Sequence, residues 1–268
     1  MTVAPAGPKV VRQRGASSGT GRFRVPLWIV RVALIGVLLA LVELGVRLRF
    51  LDPFFVPLPS RVVVGMARSI ADPGYLRLVA VTLGEVLAAF VIAGTVGVAV
   101  GFVLWRSVRA GQAFEPVVAA LFSSPIVLLY PIFLVVMGRT PTAIVALAAV
   151  FATLPTILYT RMALREVRRT LLDVGRSLGL GTWSLFRHVM LPAAAPTIFT
   201  GLRVALTYVL IVVIAMEYIL QIGGLGLSVA EASLRFQAVD LYVSVGLTVA
   251  ISATLMWLIA HLQRVVTR

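Results

Sequence analysis

The sequence predicts an all-α, polytopic membrane bundle of about six spanning helices. Three observations predict it. Of the 268 residues, 60% are apolar and only 13% are charged, against about 45–50% and about 25% in a soluble domain. Mean hydropathy is +1.04. The apolar residues fall in runs of about 20, the length that crosses a bilayer as a helix, without the alternation of a barrel strand. A water-soluble globule and a disordered chain are both excluded.

The elements follow in order. Residues 1–24 form a tail rich in Gly, Ser, Ala and Arg, a composition that predicts disorder. Residues 25–268 form the membrane domain. Span one is expected over about Leu27–Val46. With the tail it faintly resembles a signal peptide, but the apolar run is longer than an h-region and no A-x-A site follows, so it is read as retained. The prolines of Asp52-Pro53-Phe54-Phe55-Val56-Pro57-Leu58-Pro59 set an extended stretch. Ser60 then caps a short helix near 61–71 at the outer interface. Span two covers about Leu78–Trp105, interrupted by Glu85. Its Ala89, Ala93, Gly97 and Gly101 form a small-residue ladder suited to close helix packing, within the chain or against a second copy. Span three covers about Pro116–Gly138 and holds Pro125 and Pro131, whose freed carbonyls suit either a structural kink or a pathway lining. Spans four, five and six cover about Pro141–Tyr159, Arg203–Leu220 and Leu241–Ala260.

The charge sets the orientation. There are 24 basic residues against 10 acidic ones, a net +14. With the N-terminus inside, the tail, the 2–3 loop, the 4–5 loop and the C-terminus carry 15 cations and the outer loops seven. Lys and Arg collect on the cytoplasmic side, so both termini are placed there. There is no cysteine, so disulfides and thiolate sites are excluded.

The 4–5 loop, RMALREVRRTLLDVGRSLGLGTWSLFRHVMLP over 161–192, is the least membrane-like stretch after the tail. Leu164, Val167, Leu171, Val174 and Leu178 share one helical face, with Arg165, Arg168, Arg169, Asp173 and Arg176 around it. Gly179 is placed as the residue that ends this helix. Thr182 caps a second short helix bearing Trp183, Leu185 and Phe186, and Pro192 begins the return into the bilayer. Exposed aromatic residues there need either a lipid surface or a groove in a partner protein.

Here the sequence resembles the permeases of ATP-binding-cassette importers. Their signature in this loop is E-A-A, three residues, G, nine residues, I-x-L-P. The chain has Asp173-Val174-Gly175, then Gly179, then Val189-Met190-Leu191-Pro192 at the same spacing. The resemblance runs from about residue 57 to the C-terminus and is closest to the subfamily importing taurine, alkanesulfonates, nitrate and thiamine-precursor pyrimidines. Pro57-Leu58-Pro59-Ser60, Thr82 to Phe90, Pro125 to Gly138, Met216-Glu217 and Gly223-Gly224-Leu225-Gly226 carry it. Glu85 stands where that family usually has Arg.

The resemblance implies a type I importer permease fold in the bacterial cytoplasmic membrane. It implies a coupling segment at about 163–191, seated through Asp173, Gly175, Gly179, Leu180, Trp183, Phe186, Leu191 and Pro192 in a cleft of an ATPase subunit. It also implies two such ATPases, a second permease copy in a homodimer, and an extracytoplasmic substrate-binding protein. The chain has no G-x-x-x-x-G-K-[ST] loop, so ATP and magnesium belong to the partner ATPase. No cofactor, metal or nucleic acid is expected, and the chain is not itself an enzyme. Glu85, Pro125, Pro131 and Glu217 are the candidate translocation-path residues. Glu85 is open to a second reading as an ion pair with an Arg of a neighbouring helix. Arg139 suits an incoming anion or plain solvation. Cargo of the sulfonate, nitrate or pyrimidine-precursor type is expected; the competing function is an ion-coupled carrier that needs no ATPase.

Overall fold

The computed structural model describes residues 27–124 and 126–266. The tail, for which disorder was expected, and Pro125 lie outside the described residues. The helices are α1 (Leu27–Arg47), α2 (Pro59–Ala71), α3 (Pro73–Arg106), α4 (Val108–Phe122), α5 (Tyr130–Met137), α6 (Pro141–Arg165), α7 (Arg169–Ser177), α8 (Thr182–Leu185), α9 (Leu191–Leu220), α10 (Gly224–Leu234) and α11 (Ala238–Val266). No strand occurs among the described residues. α1 straddles the boundary, after Leu41, between two compact units of the chain; apart from the span of α1 itself, everything described below lies in the second.

Among the described residues, five helices are long and apolar enough to cross a membrane: α1, α3, α6, α11, and α9 together with the α8 segment that runs into it. The expected third span is not one helix. α4 stops at Phe122, a 3₁₀ turn covers Ile126–Leu129, and α5 starts afresh at Tyr130. The break falls directly before Pro125 in the sequence, and a proline lacks the N–H a helix needs and disfavours helical backbone in the residue before it. Ser123 and Ser124 turn their hydroxyls back onto the carbonyls of Ala119 and Ala120, each at 3.0 Å. Pro131 is therefore not a kink within a span. It sits in the first turn of α5, where a missing N–H costs nothing.

α6 is the axis of the fold. Most of its length is buried, from Ala143 to Leu164. α3 packs along it through the small-residue ladder. A Cβ on Gly97 would come within 2.5 Å of Thr156 Cβ, and one on Gly101 within 2.7 Å of Thr160 Cβ. Both contacts advance by four residues, so α3 and α6 run parallel, one turn against one turn. Ala89 and Ala93 are fully buried in the same core. In lipid there is little hydrophobic drive between helices, so close backbone approach of this kind supplies the association. α9 covers another side of α6, with Gly201 against Tyr159.

The short helix after the prolines is present as α2, but Ser60 does not cap it. Leu58 holds the cap position without a side-chain bond. The acceptor comes instead from α1: Glu43 Oε2 accepts from the Ser60 N–H at 3.1 Å and Oε1 from the Ser60 hydroxyl at 2.9 Å. Arg47, one turn on from Glu43, donates to the same carboxylate at 2.7 Å. A carboxylate at a helix N-terminus satisfies orphan donors and favours the helix dipole.

Candidate functional site

The Arg-rich segment between α6 and α9 folds as helix, turn, helix. The expected single amphipathic helix is divided, because α6 ends at Arg165 and α7 restarts at Arg169. Leu164 is buried with α6, whereas Leu171 and Val174 on α7 and Leu178 just after it are exposed. The five positions do not share one face of one helix. Gly179 ends α7 as expected, at φ +74°, and the Leu180 N–H donates back to the Gly175 carbonyl at 3.1 Å, the closing bond of a Schellman turn. Thr182 is not the cap of α8. Gly181 holds that position, with no side-chain bond.

α7 and α8 are locked together at Gly175, where any Cβ would overlap the Leu185 side chain. Leu185 is buried. A single π turn, Phe186–Met190, then joins α8 to α9, with Leu191 exposed and Pro192 in the first turn of α9. Phe186 faces inward, its ring 5.1 Å from Phe102 and 6.4 Å from Trp105 on α3. Trp183 stacks on the outer side of Phe186 at 5.8 Å and is 70% exposed. An aromatic relay thus runs from an exposed indole to the end of α3. Asp173 is exposed and pairs with Arg176 at 3.2 Å, and Leu180 is half-buried.

A second polar cluster lies at the opposite end of α9. Glu217 is fully buried. Its Oε1 accepts from the Thr82 hydroxyl at 2.7 Å and its Oε2 from the Gly226 N–H at 2.8 Å. Thr82 in turn accepts from the Leu225 N–H at 2.8 Å. Gly224, at φ +72°, sits so close to the Glu217 carboxylate that no side chain would fit. One carboxylate therefore ties α3, α9 and the first turn of α10. Glu85, one turn after Thr82, is also buried, and its side chain contacts Glu217. Its neighbour is another acid, so the expected ion pair with an Arg is not formed. Arg139, between α5 and α6, donates its Nε and Nη2 to the Leu220 carbonyl, the former at 2.8 Å. Arg139 caps the end of α9 rather than standing free in solvent, an arrangement that complements the helix dipole.

Sequence reasoning missed Thr82, the Leu225 and Gly226 amides, and Glu115. Thr82 carries a signal, since it lies on the same helical face as Glu85. The Leu225 and Gly226 amides carry none, because a backbone donor is invisible until the turn is formed. Glu115 of α4 pairs with Arg161 and lies 3.6 Å from Arg165, both on α6. Arg161 is 3% exposed, far from the loop cation it resembles in the sequence. Glu115 is the lone acid between Glu85 and Glu166, which is the available clue. Of the candidate path residues, Glu85 and Glu217 come together, Pro131 stands apart on α5, and Pro125 lies outside the described residues.

The sequence model of a family described as "binding-protein-dependent transport system inner membrane component" matches residues 75–268. Among curated proteins, the riboflavin transport system permease protein RibX of Chloroflexus aurantiacus is 30% identical over 157 residues, 59% of this chain and 59% of that protein. The nitrate import permease protein NrtB of Leptolyngbya laminosa is 29% identical over 156 residues, 58% of this chain and 55% of that protein. The glycine betaine/proline betaine transport system permease protein ProW of Escherichia coli is 33% identical over 148 residues, 54% and 41% of the two chains. The chain thus spans less than two thirds of the length of these relatives. Among solved structures, an inward-facing conformation of the MetNI methionine ABC transporter superposes with a TM-score of 0.61 at 22% identity, covering 72% of this chain and 96% of that one. That likeness is one of fold.

Proposed function

The chain belongs to the binding-protein-dependent transport system inner membrane component family, and from that membership we propose that it is the transmembrane permease subunit of an ATP-driven ABC importer. In this reading the 163–191 segment docks an ATPase subunit. Asp173 and Gly175 on α7, Gly179 and Leu180 at the turn, Trp183 on α8 with Phe186 behind it, and Leu191 and Pro192 at the return make up the docking segment.

The observation that carries it is the aromatic relay. Trp183 is exposed where a groove on a partner would cover it, and through Phe186 it bears on Phe102 and Trp105 of α3. A push on the indole is thereby delivered to a long spanning helix, which is what rigid-body coupling between ATP binding and alternating access requires. Hydrolysis, with ATP and magnesium, belongs to the partner; this chain takes no cofactor and does no catalysis.

The complex we propose has two ATPases, two permease copies and an extracytoplasmic binding protein. It sits in the cytoplasmic membrane with both termini and the 163–191 segment inside. Glu85, Pro131 and Glu217, with Pro125, remain the candidate path residues. The cargo is a small organic or inorganic anion of the sulfonate, nitrate or pyrimidine-precursor type, a reading supported by the nitrate permeases among the relatives.

The test is copurification of the chain from its native membrane. A Walker-type ATPase that comes down with the wild type, and is lost with Trp183→Ala, supports the reading. The alternative is an ion-coupled carrier, favoured by the buried Glu85–Glu217 pair. Cargo uptake by the purified chain alone, driven by an ion gradient and without an ATPase, would replace the importer reading with that one.

A further inference from the structure

We propose that Glu85 and Glu217 form a proton-binding site, in which a single proton carried by Glu85 bridges to the Glu217 carboxylate and clasps α3 to the end of α9 and the start of α10. The hydrogen-bond inventory requires it. Glu217 receives two donors, the Thr82 hydroxyl and the Gly226 N–H, and the second comes from the first turn of α10, where negative charge is favoured. Glu217 is therefore the ionised member. Glu85 has no such donors. Its Oε2 is buried and unpartnered, its residue is 6% exposed, and the polar group it touches is the Glu217 carboxyl. Two carboxylate oxygens repel unless one of them carries a hydrogen. A proton on Glu85 removes the repulsion and supplies the third donor to Glu217.

The charged groups of the neighbouring elements are spoken for or distant. On α2, Arg61 and Arg68 line a separate cavity with Asp240. On α10, Glu231 is exposed beside Arg235 at 3.6 Å. Before α6, Arg139 is bound to the Leu220 carbonyl, and on α6 itself Arg161 and Arg165 face Glu115 at the other end. On α3, Arg77 lies two turns before Glu85 and Arg106 at the far terminus. On α9, Arg203 lies about four turns before Glu217. On α11, Asp240 is exposed at the first turn. Around the pair, the core is apolar, with Val86, Ala89, Met216 and Leu220 buried on the same two helices. Among the described residues, no cation of these elements is on hand to take the proton's place.

The experiment is infrared spectroscopy of the full-length chain in lipid nanodiscs at neutral pH. The expected result is a protonated-carboxyl C=O band that shifts when glutamate is isotope-labelled, disappears in Glu85→Gln, and is unchanged when sodium chloride is replaced by choline chloride. In the same preparation, raising the buffer from about pH 6 to about pH 9 should lower the melting temperature of the wild type by about 4 °C or more relative to Glu85→Gln. The labelling readout needs no variant, so a misfolded Gln protein does not spoil the test. Absence of a glutamate-derived band overturns the proposal. So does a band that appears only when sodium is withdrawn, which would make the ligand a metal cation. Neither readout involves transport, so the result is independent of the importer reading.

Discussion

The Trp183 and Phe186 rings lie 5.8 Å apart and 27° from parallel, one exposed and the other half-buried against α3. The pair separates two roles. Phe186 is anchored inside the protein, while Trp183 presents its face outward.

Trp183→Ala should therefore leave the fold nearly intact, since surface changes shift stability by within about 0.5 kcal/mol. On the proposed importer reading, uptake should fall by about tenfold or more, equivalent to about 1.4 kcal/mol of lost interaction with an ATPase partner. Parallel measurement of melting temperature and ATP-driven uptake checks both halves. Full uptake by the variant would sink the docking role of the indole.

Phe186→Ala should behave differently. It removes a ring in contact with Phe102, Trp105 and Trp183, and truncating a packed aromatic costs about 3 kcal/mol when fully buried. Phe186 is only half-buried, so about 1–2 kcal/mol is expected. Thermal unfolding in detergent reads it, and a melting temperature equal to wild type would mean the relay is not a packed unit.

At Gly179 the expected cost is purely of the backbone. Its φ is +74° and nothing lies within 4 Å of a Cβ built there. Gly179→Ala should cost about 1 kcal/mol, the penalty of a left-handed residue with a side chain. Gly179→Asn should cost less, because Asn tolerates that conformation. Equal melting temperatures for the Ala variant and the wild type would show that the turn relaxes.

Much of the architecture was legible because it rests on local pattern. The apolar runs gave α1, α3, α6, α9 and α11, and Gly179 marked the end of α7. The ladder Ala89, Ala93, Gly97 and Gly101 signalled a close helix contact, though only the structure shows that α6 fills it. What escaped were relationships set by the tertiary fold. The cap of α2 comes from Glu43, 17 residues earlier. Arg161 looks like a loop cation by hydropathy yet pairs with Glu115 inside the bundle. In each case the deciding partner is distant in sequence or is a backbone group, and neither enters a reading by periodicity.

The Glu115–Arg161 pair yields a prediction of its own. Glu115→Gln keeps the shape but leaves a buried guanidinium without its counter-charge. Breaking a fully buried pair costs about 3–5 kcal/mol. Here the Glu115 side chain is 46% exposed, so water screens the loss and about 1–3 kcal/mol is the expected destabilisation. A double variant, Glu115→Gln with Arg161→Met, should recover part of it, because no lone charge remains. Thermal unfolding of the two proteins decides; a double variant less stable than the single one contradicts the account.

Thr82→Val tests the junction of three helices. Valine matches threonine in shape, so packing is preserved and the loss is confined to hydrogen bonds. The hydroxyl donates to Glu217 and accepts from the Leu225 N–H. Its removal leaves a buried amide without an acceptor and a buried carboxylate one donor short. Each unsatisfied buried group costs about 1–3 kcal/mol, and a single relaxation around α10 can relieve part of both, so about 2 kcal/mol is expected in total. Amide exchange should rise at Leu225 and Gly226, in the first turn of α10, before it rises in α6. Thr82→Ser keeps the hydroxyl and should retain the wild-type exchange at those amides. If the Val variant exchanges no faster there, α10 is held by its apolar contacts with α11 and not by the hydroxyl.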